Sequence, residues 1–127
     1  MKQKTIRVLM VEPHKAPCMV ELNNDLDSLQ KAVSIGADEQ GLIELVHLED
    51  NAYILCNEEG KLIGLEPNRR LGEDILCGVF YVVADDKHGN LVSLTEAQQE
   101  RYAQMFWECD EGIDREQVEA TLFMTFL

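Results

Sequence analysis

Basic side chains are scarce in this sequence. Its 127 residues hold 11 Lys and Arg against 24 Asp and Glu, a formal net charge of −13. Such a surface repels phosphate backbones and anionic lipid headgroups, so direct contact with nucleic acid or a membrane surface is not expected. Long apolar runs are missing too: no stretch approaches the roughly 18 consecutive apolar residues of a membrane span. The run after the basic start, Val8–Val11, is too short for a secretory core, which points to a cytoplasmic location. The four cysteines, Cys18, Cys56, Cys77 and Cys109, are widely spaced and form no C-x-x-C. An even count allows two bridges, but Cys56 and Cys77 lie in apolar runs and read as buried thiols of a reducing compartment. G-x-S-x-G, P-loop and Gly-rich dinucleotide patterns are absent, as are repeats and low-complexity tracts.

What is present suits one domain. A chain of this length buries about two-thirds of its unfolded surface and needs no disulfide or metal to fold. Residues 5–12 are β-branched and aliphatic and predict a first strand, punctuated by Pro13 and Pro17 around a His14-Lys15-Ala16 turn. Cys18–Leu22 fits an antiparallel return. Asn23 and Asn24 read as N-caps of a helix whose apolar face is Leu26, Leu29 and Val33, with Asp25 and Asp27 in its first turn, Lys31 near its end and Gly36 as its stop. Residues 42–48 and 52–56 read as a hairpin, followed by a turn at 57–60 and a short strand at 61–63. The turn-rich stretch 64–74 reads as an ordered loop, and 75–84 as one central strand buried on both faces, with Gly78 marking a bulge or close contact. A polar turn at 85–90 leads to a short strand at 91–93. Thr95 with Gln98, or Ser93 with Glu96, makes a capping box for a helix burying Tyr102, Met105 and Phe106. Asp114 caps a last segment in which Val118, Leu122 and Phe126 fit a helix, although residues 121–127 suit a strand equally well. The expectation is an α+β fold: a mixed or mostly antiparallel sheet of five to six strands carrying two to three helices. Residues 1–107 would form the core, and 108–127 an acidic C-terminal extension packing on the core or on a partner.

Several separated motifs share an order that resembles a known family. They are Val8-Leu9-Met10-Val11-Glu12-Pro13, then Asn24-Asp25-Leu26-Asp27-Ser28-Leu29-Gln30, then Asn57-Glu58-Glu59-Gly60-Lys61-Leu62 running on to Gly64-Leu65 and Pro67-Asn68-Arg69. Gly78-Val79-Phe80 and Ser93-Leu94-Thr95 agree with them. Over residues 5–107 the chain is similar to the family known as domain of unknown function 3846. The resemblance implies a bacterial, phage or conjugative-element setting and brings no activity or catalytic residue with it. Two positions depart from the family's usual pattern: His14 where glycine is common, and Glu66 where proline is common. Both bear on any site built from the backbone of those turns.

Candidate chemistry is sparse. Asn68, Arg69 and Arg70, beside Glu58 and Glu59, are the candidate ligand-binding residues: two adjacent guanidiniums can clamp a phosphate or carboxylate. The same residues can instead tie their loop to a neighbouring carboxylate or carbonyl. His14 and Cys18 are spaced as two metal ligands with nothing to complete a set, so no metal or cofactor is expected. His47 and Cys56 can face each other across the hairpin as a Cys–His pair, though the apolar setting favours an inert thiol. No catalytic residue can be named, so an enzyme ranks third. The first expectation is a non-enzymatic interaction protein of a phage or mobile element, its acidic surface docking a basic, nucleic-acid-handling host protein. From Glu108 onward the chain has six acids and one base. The second is a small-molecule or nucleotide (anion) module using the 68–70 loop. Acidity alone also serves solubility, and the oligomeric state stays open.

Overall fold

Strand β7 (Phe80–Asp85) is paired along both edges, and every residue from Phe80 to Ala84 is buried. The computed structural model describes residues 2–122. Along one edge of β7 runs β4 (Ala52–Asn57), paired in turn with β3 (Ile43–Glu49); along the other runs β1 (Thr5–Val11), paired with β2 (Cys18–Asn23). Pairing of β1 with β7 ends at Val82, and β8 (Leu91–Val92) takes over opposite Ala84 and Asp85. All these pairings are antiparallel.

Alternation along the strands sends side chains to two faces, and each face has its own helix. Leu9, Val11, Ile54, Phe80 and Val82 pack with Leu94, Tyr102 and Phe106 of the segment carrying α2 (Glu96–Met105). Ile6, Val8, Leu55, Tyr81 and Val83 pack with Leu29 and Val33 around α1 (Leu26–Ala32). The architecture is α+β, with a six-stranded antiparallel sheet and three helices. The capping box is the Thr95–Gln98 one. The third helix, α3 (Arg115–Leu122), starts with a reciprocal Asp114–Gln117 cap and buries Val118 against Leu65, Ile75 and Cys77. Phe126 and the rest of 123–127 lie outside the described residues.

The structure corrects several local expectations. Residues 75–84 are two strands, not one. Strand β6 (Asp74–Cys77) pairs with β5 (Pro67–Leu71) in a separate two-stranded sheet, and the chain crosses to β7 at Gly78. Gly78 has φ +80°, and a Cβ there would meet the Leu65 side chain at 2.7 Å. Stretch 64–74 is therefore largely strand; its Pro67 is the first residue of β5, where a missing N–H is tolerated. Residues 61–63 are not a strand but part of a run of turns from Glu58 to Gly64. The α1 cap is Asp25, whose Oδ1 accepts from the Ser28 N–H at 2.8 Å. Asn24 is buried instead, its amide donating to the Gln3 and Leu91 carbonyls. Leu26 and Met105 are exposed, leaving Leu29 with Val33, and Tyr102 with Phe106, as the packing residues.

Gly78→Ala is expected to cost about 2 kcal/mol, from the positive φ and the Leu65 clash together. Gly89→Ala, at φ +86° with nothing within 4 Å, is expected to lose about 1 kcal/mol. Urea denaturation of the two variants measures the difference; equal losses would mean that the close approach to Leu65 adds nothing.

Candidate functional site

Asn68 and Arg69 sit side by side on β5, each 1% exposed. The Asn68 amide donates to the Val11 and Gly78 carbonyls, both at 2.8 Å. Arg69 Nε donates to the Phe106 carbonyl at 3.1 Å and Nη2 to the Lys15 carbonyl at 2.7 Å. Its Nη1 donates to Asn68 Oδ1 at 2.8 Å and lies 3.4 Å from the Glu12 carbonyl. Every guanidinium nitrogen thus meets a protein oxygen, none of them from a carboxylate. Phe106 is the C-cap of α2, a helix with no basic residue in its last turn. Arg69 therefore brings a cation to the negative end of that helix from a different sheet. An anion approaching this loop would find Arg70 alone at the surface, its backbone N–H already given to Asp110 Oδ2 at 2.7 Å.

Glu58 and Glu59 are exposed on the turn after β4 and make no hydrogen bond or ion pair to either arginine. The five residues expected to act together are therefore split. Asn68 and Arg69 brace the small sheet, Arg70 faces solvent, and neither glutamate contacts them. Glu59 lines a cleft of about 370 Å³ together with residues 36–41, Asn57 and Ile63.

His14 and Glu66, the two departures from the family pattern, meet. His14 adopts φ 65°, a conformation that glycine enters without strain. Its Nε2 lies 3.0 Å from Glu66 Oε1 and its Nδ1 2.7 Å from Glu111 Oε2. The ring joins the β1–β2 turn, the residue before β5 and the segment between α2 and α3. Both carboxylates push its pKa above the usual histidine value, the hydrogen bond to Glu66 most strongly. With both ring nitrogens engaged, His14 is not presented to a metal beside Cys18. Among the described residues no three His, Cys, Asp or Glu side chains form a metal-binding group.

The proposed Cys–His pairing across the hairpin does not form. His47 lies opposite Tyr53, whose ring it meets edge-on, and Cys56 lies opposite Glu44. Burial pushes the Cys56 thiol up to about 12, and burial raises Cys77 too, which leaves both thiols protonated and unreactive. Sequence reasoning missed the His14–Glu66–Glu111 contact and the cleft at 36–41. Its one signal for the cleft was the apolar pair Leu62-Ile63 set among turn residues.

Because its folded pKa is raised, the protonated His14 adds stability that is fully present below its unfolded pKa, about 6.5. That contribution is lost as pH rises through the folded value. Urea midpoints are expected to fall as pH increases from about 6 to about 8, and to fall less in His14→Asn, which tolerates the same φ. Identical pH slopes in the two proteins would contradict this.

No curated protein and no solved structure matches the chain. The family model described as Domain of unknown function (DUF3846) matches residues 6–107, which run from β1 through both sheets to the end of α2 and stop before α3. That span holds the Asn68–Arg69 brace and the 36–41 cleft, and on it the chain belongs to the family Domain of unknown function (DUF3846).

Proposed function

We propose that the protein is a non-enzymatic interaction module whose acid surplus draws in a basic, nucleic-acid-handling protein. One observation carries the reading: Arg69 is the only buried formal charge among the described residues, and none of the 24 carboxylates is buried. With Arg69 taken inside, ten basic side chains remain outside, a surface balance of −14. Five of those ten, Lys15, Lys31, Lys61, Arg101 and Arg115, are each held by a carboxylate. Glu96 and Glu100 stand exposed one turn apart on α2, and Glu108, Glu111, Asp114, Glu116 and Glu119 follow, also exposed.

A field of this sign speeds encounter with a cationic surface and slows approach to polyanions. We place the module in a mobile element, where a cytoplasmic host protein is the fitting partner class. No helix among the described residues is long and apolar enough to cross a membrane. The alternative, a small anion held at the 68–70 loop, retains only Arg70 as a free donor.

Immobilised protein at low ionic strength is expected to retain a basic nucleic-acid-handling protein from host lysate. Salt should release it, and a soluble polyanion should compete it away. A lysate that leaves nothing bound at low salt counts against the reading.

A further inference from the structure

Four of the eight exposed large hydrophobics among the described residues, Ile35, Leu42, Leu62 and Ile63, belong to loop 35–42 and turn 58–64, each between 47% and 62% exposed. Ile63 lines a cleft of about 370 Å³ together with residues 36–41, Asn57 and Glu59. Ile35 precedes its first lining residue and Leu42 follows Gly41; the Leu42 carbonyl accepts the Glu58 N–H at 3.0 Å, which ties the two walls together. Leu62 stands beside Ile63 on the turn that forms the other wall.

This end is held in shape from within. Asn57 is buried at its floor, with Nδ2 donating to the Val33 carbonyl at 3.3 Å and Oδ1 accepting the Glu59 N–H at 2.9 Å. The 36–41 loop is pinned by Gly41 N–H to Ser34 Oγ at 2.9 Å and by the Gln40 amide to Asp27 and Gln30. A Cβ at Gly41 would fall 2.7 Å from the Asn57 amide, so the loop passes over that side chain as closely as a backbone can. A surface fixed in this way meets a partner without first losing loop entropy.

The charge around it has one sign. Asp38, Glu39, Glu58 and Glu59 are exposed and none forms an ion pair among the described residues; the base in the turn, Lys61, is taken by Asp74. Single exposed aliphatics are ordinary, but a cluster of them rimmed by polar groups marks an interaction surface. The rim selects the occupant. A second copy of this chain would set four carboxylates against four more, and phosphate or lipid headgroups would be repelled.

We propose that the cleft between loop 35–42 and turn 58–64 is the docking surface for an amphipathic basic segment of a partner protein. A Lys or Arg side chain enters the cleft between Asp38, Glu39 and Glu59. Flanking aliphatic side chains of the segment rest on Ile35, Leu42, Leu62 and Ile63. The cleft lies at the small end of ligand-site volumes, about 300–1,000 Å³, which suits one inserted side chain. This assignment rests on the basic-partner reading above and gives it a location.

The test uses the full chain, ¹⁵N-labelled, and three short synthetic peptides: an amphipathic Leu/Lys peptide, the same peptide with Gln for Leu, and the same with Glu for Lys. The Leu/Lys peptide is expected to shift the amides of 35–42 and 58–63. Both the Gln-for-Leu peptide and the Leu42→Ser/Ile63→Ser protein should bind at least tenfold more weakly, while the unperturbed spectrum of that variant shows an intact fold. The Glu-for-Lys peptide should not bind. Binding of equal strength by the Leu/Lys and Gln-for-Leu peptides, with shifts confined to α2 and α3, would overturn this location and leave the basic-partner reading standing. No binding by either lysine peptide would overturn both.

Discussion

A buried guanidinium with no carboxylate partner ties the small sheet to the β1–β2 turn and to the end of α2. Arg69 takes its compensation from backbone dipoles: the carbonyls of Glu12 and Lys15 in the β1–β2 turn, and that of Phe106 where α2 ends. Hydrogen bonds to a charged group contribute about 1.5–3 kcal/mol each. Removing the donor would strand several carbonyls, together with an Asn68 oxygen. Asn68 extends the brace by spanning Val11 and Gly78, the end of β1 and the crossing between the sheets. These two residues add polar ties between the large sheet and the β5–β6 hairpin, which shares no strand pairing with it and otherwise meets it through the packing of Leu71 and Leu76.

The same choice shapes the outside of the molecule. An acidic protein that commits one of its few cations to the interior has a more negative surface than its composition suggests. The carboxylates that remain differ in their surroundings. Several are held locally: Glu49 by Arg101, Asp74 by Lys61, and Glu66 and Glu111 by His14. The pair at 38–39 and the pair at 58–59 have no such partner among the described residues and flank exposed aliphatics on a loop and turn fixed by Asn57. Long-range charge and local shape thus have separate roles, the first governing encounter and the second contact.

Much of the fold was legible in the residues themselves. The β1–β2 and β3–β4 hairpins announce themselves through aliphatic runs between turn residues, and Thr95–Gln98 marks the start of α2 by its chemistry alone. Residues 75–84 misled because continuous apolarity looks alike whether one strand is buried on both faces or two strands meet in different sheets. The difference lies in the left-handed φ of Gly78. Residues 67–71 hid as a strand because Pro67, Asn68 and Gly72 carry turn chemistry, while the pairing that makes them a strand comes from Asp74–Cys77. Arg69 and Arg70 are indistinguishable in sequence. Strand alternation sends one inward to distant carbonyls and the other to solvent, and no local pattern records where those carbonyls will lie.

That Arg69 is an internal brace and not a receptor for anions can be read from its own side chain. In a ¹⁵N spectrum of the guanidinium region at neutral pH, a resolved, slowly exchanging Nε–H signal is expected for Arg69, unmoved by added phosphate or nucleotide. A signal lost to rapid solvent exchange, or one that shifts on titration with phosphate, would contradict it.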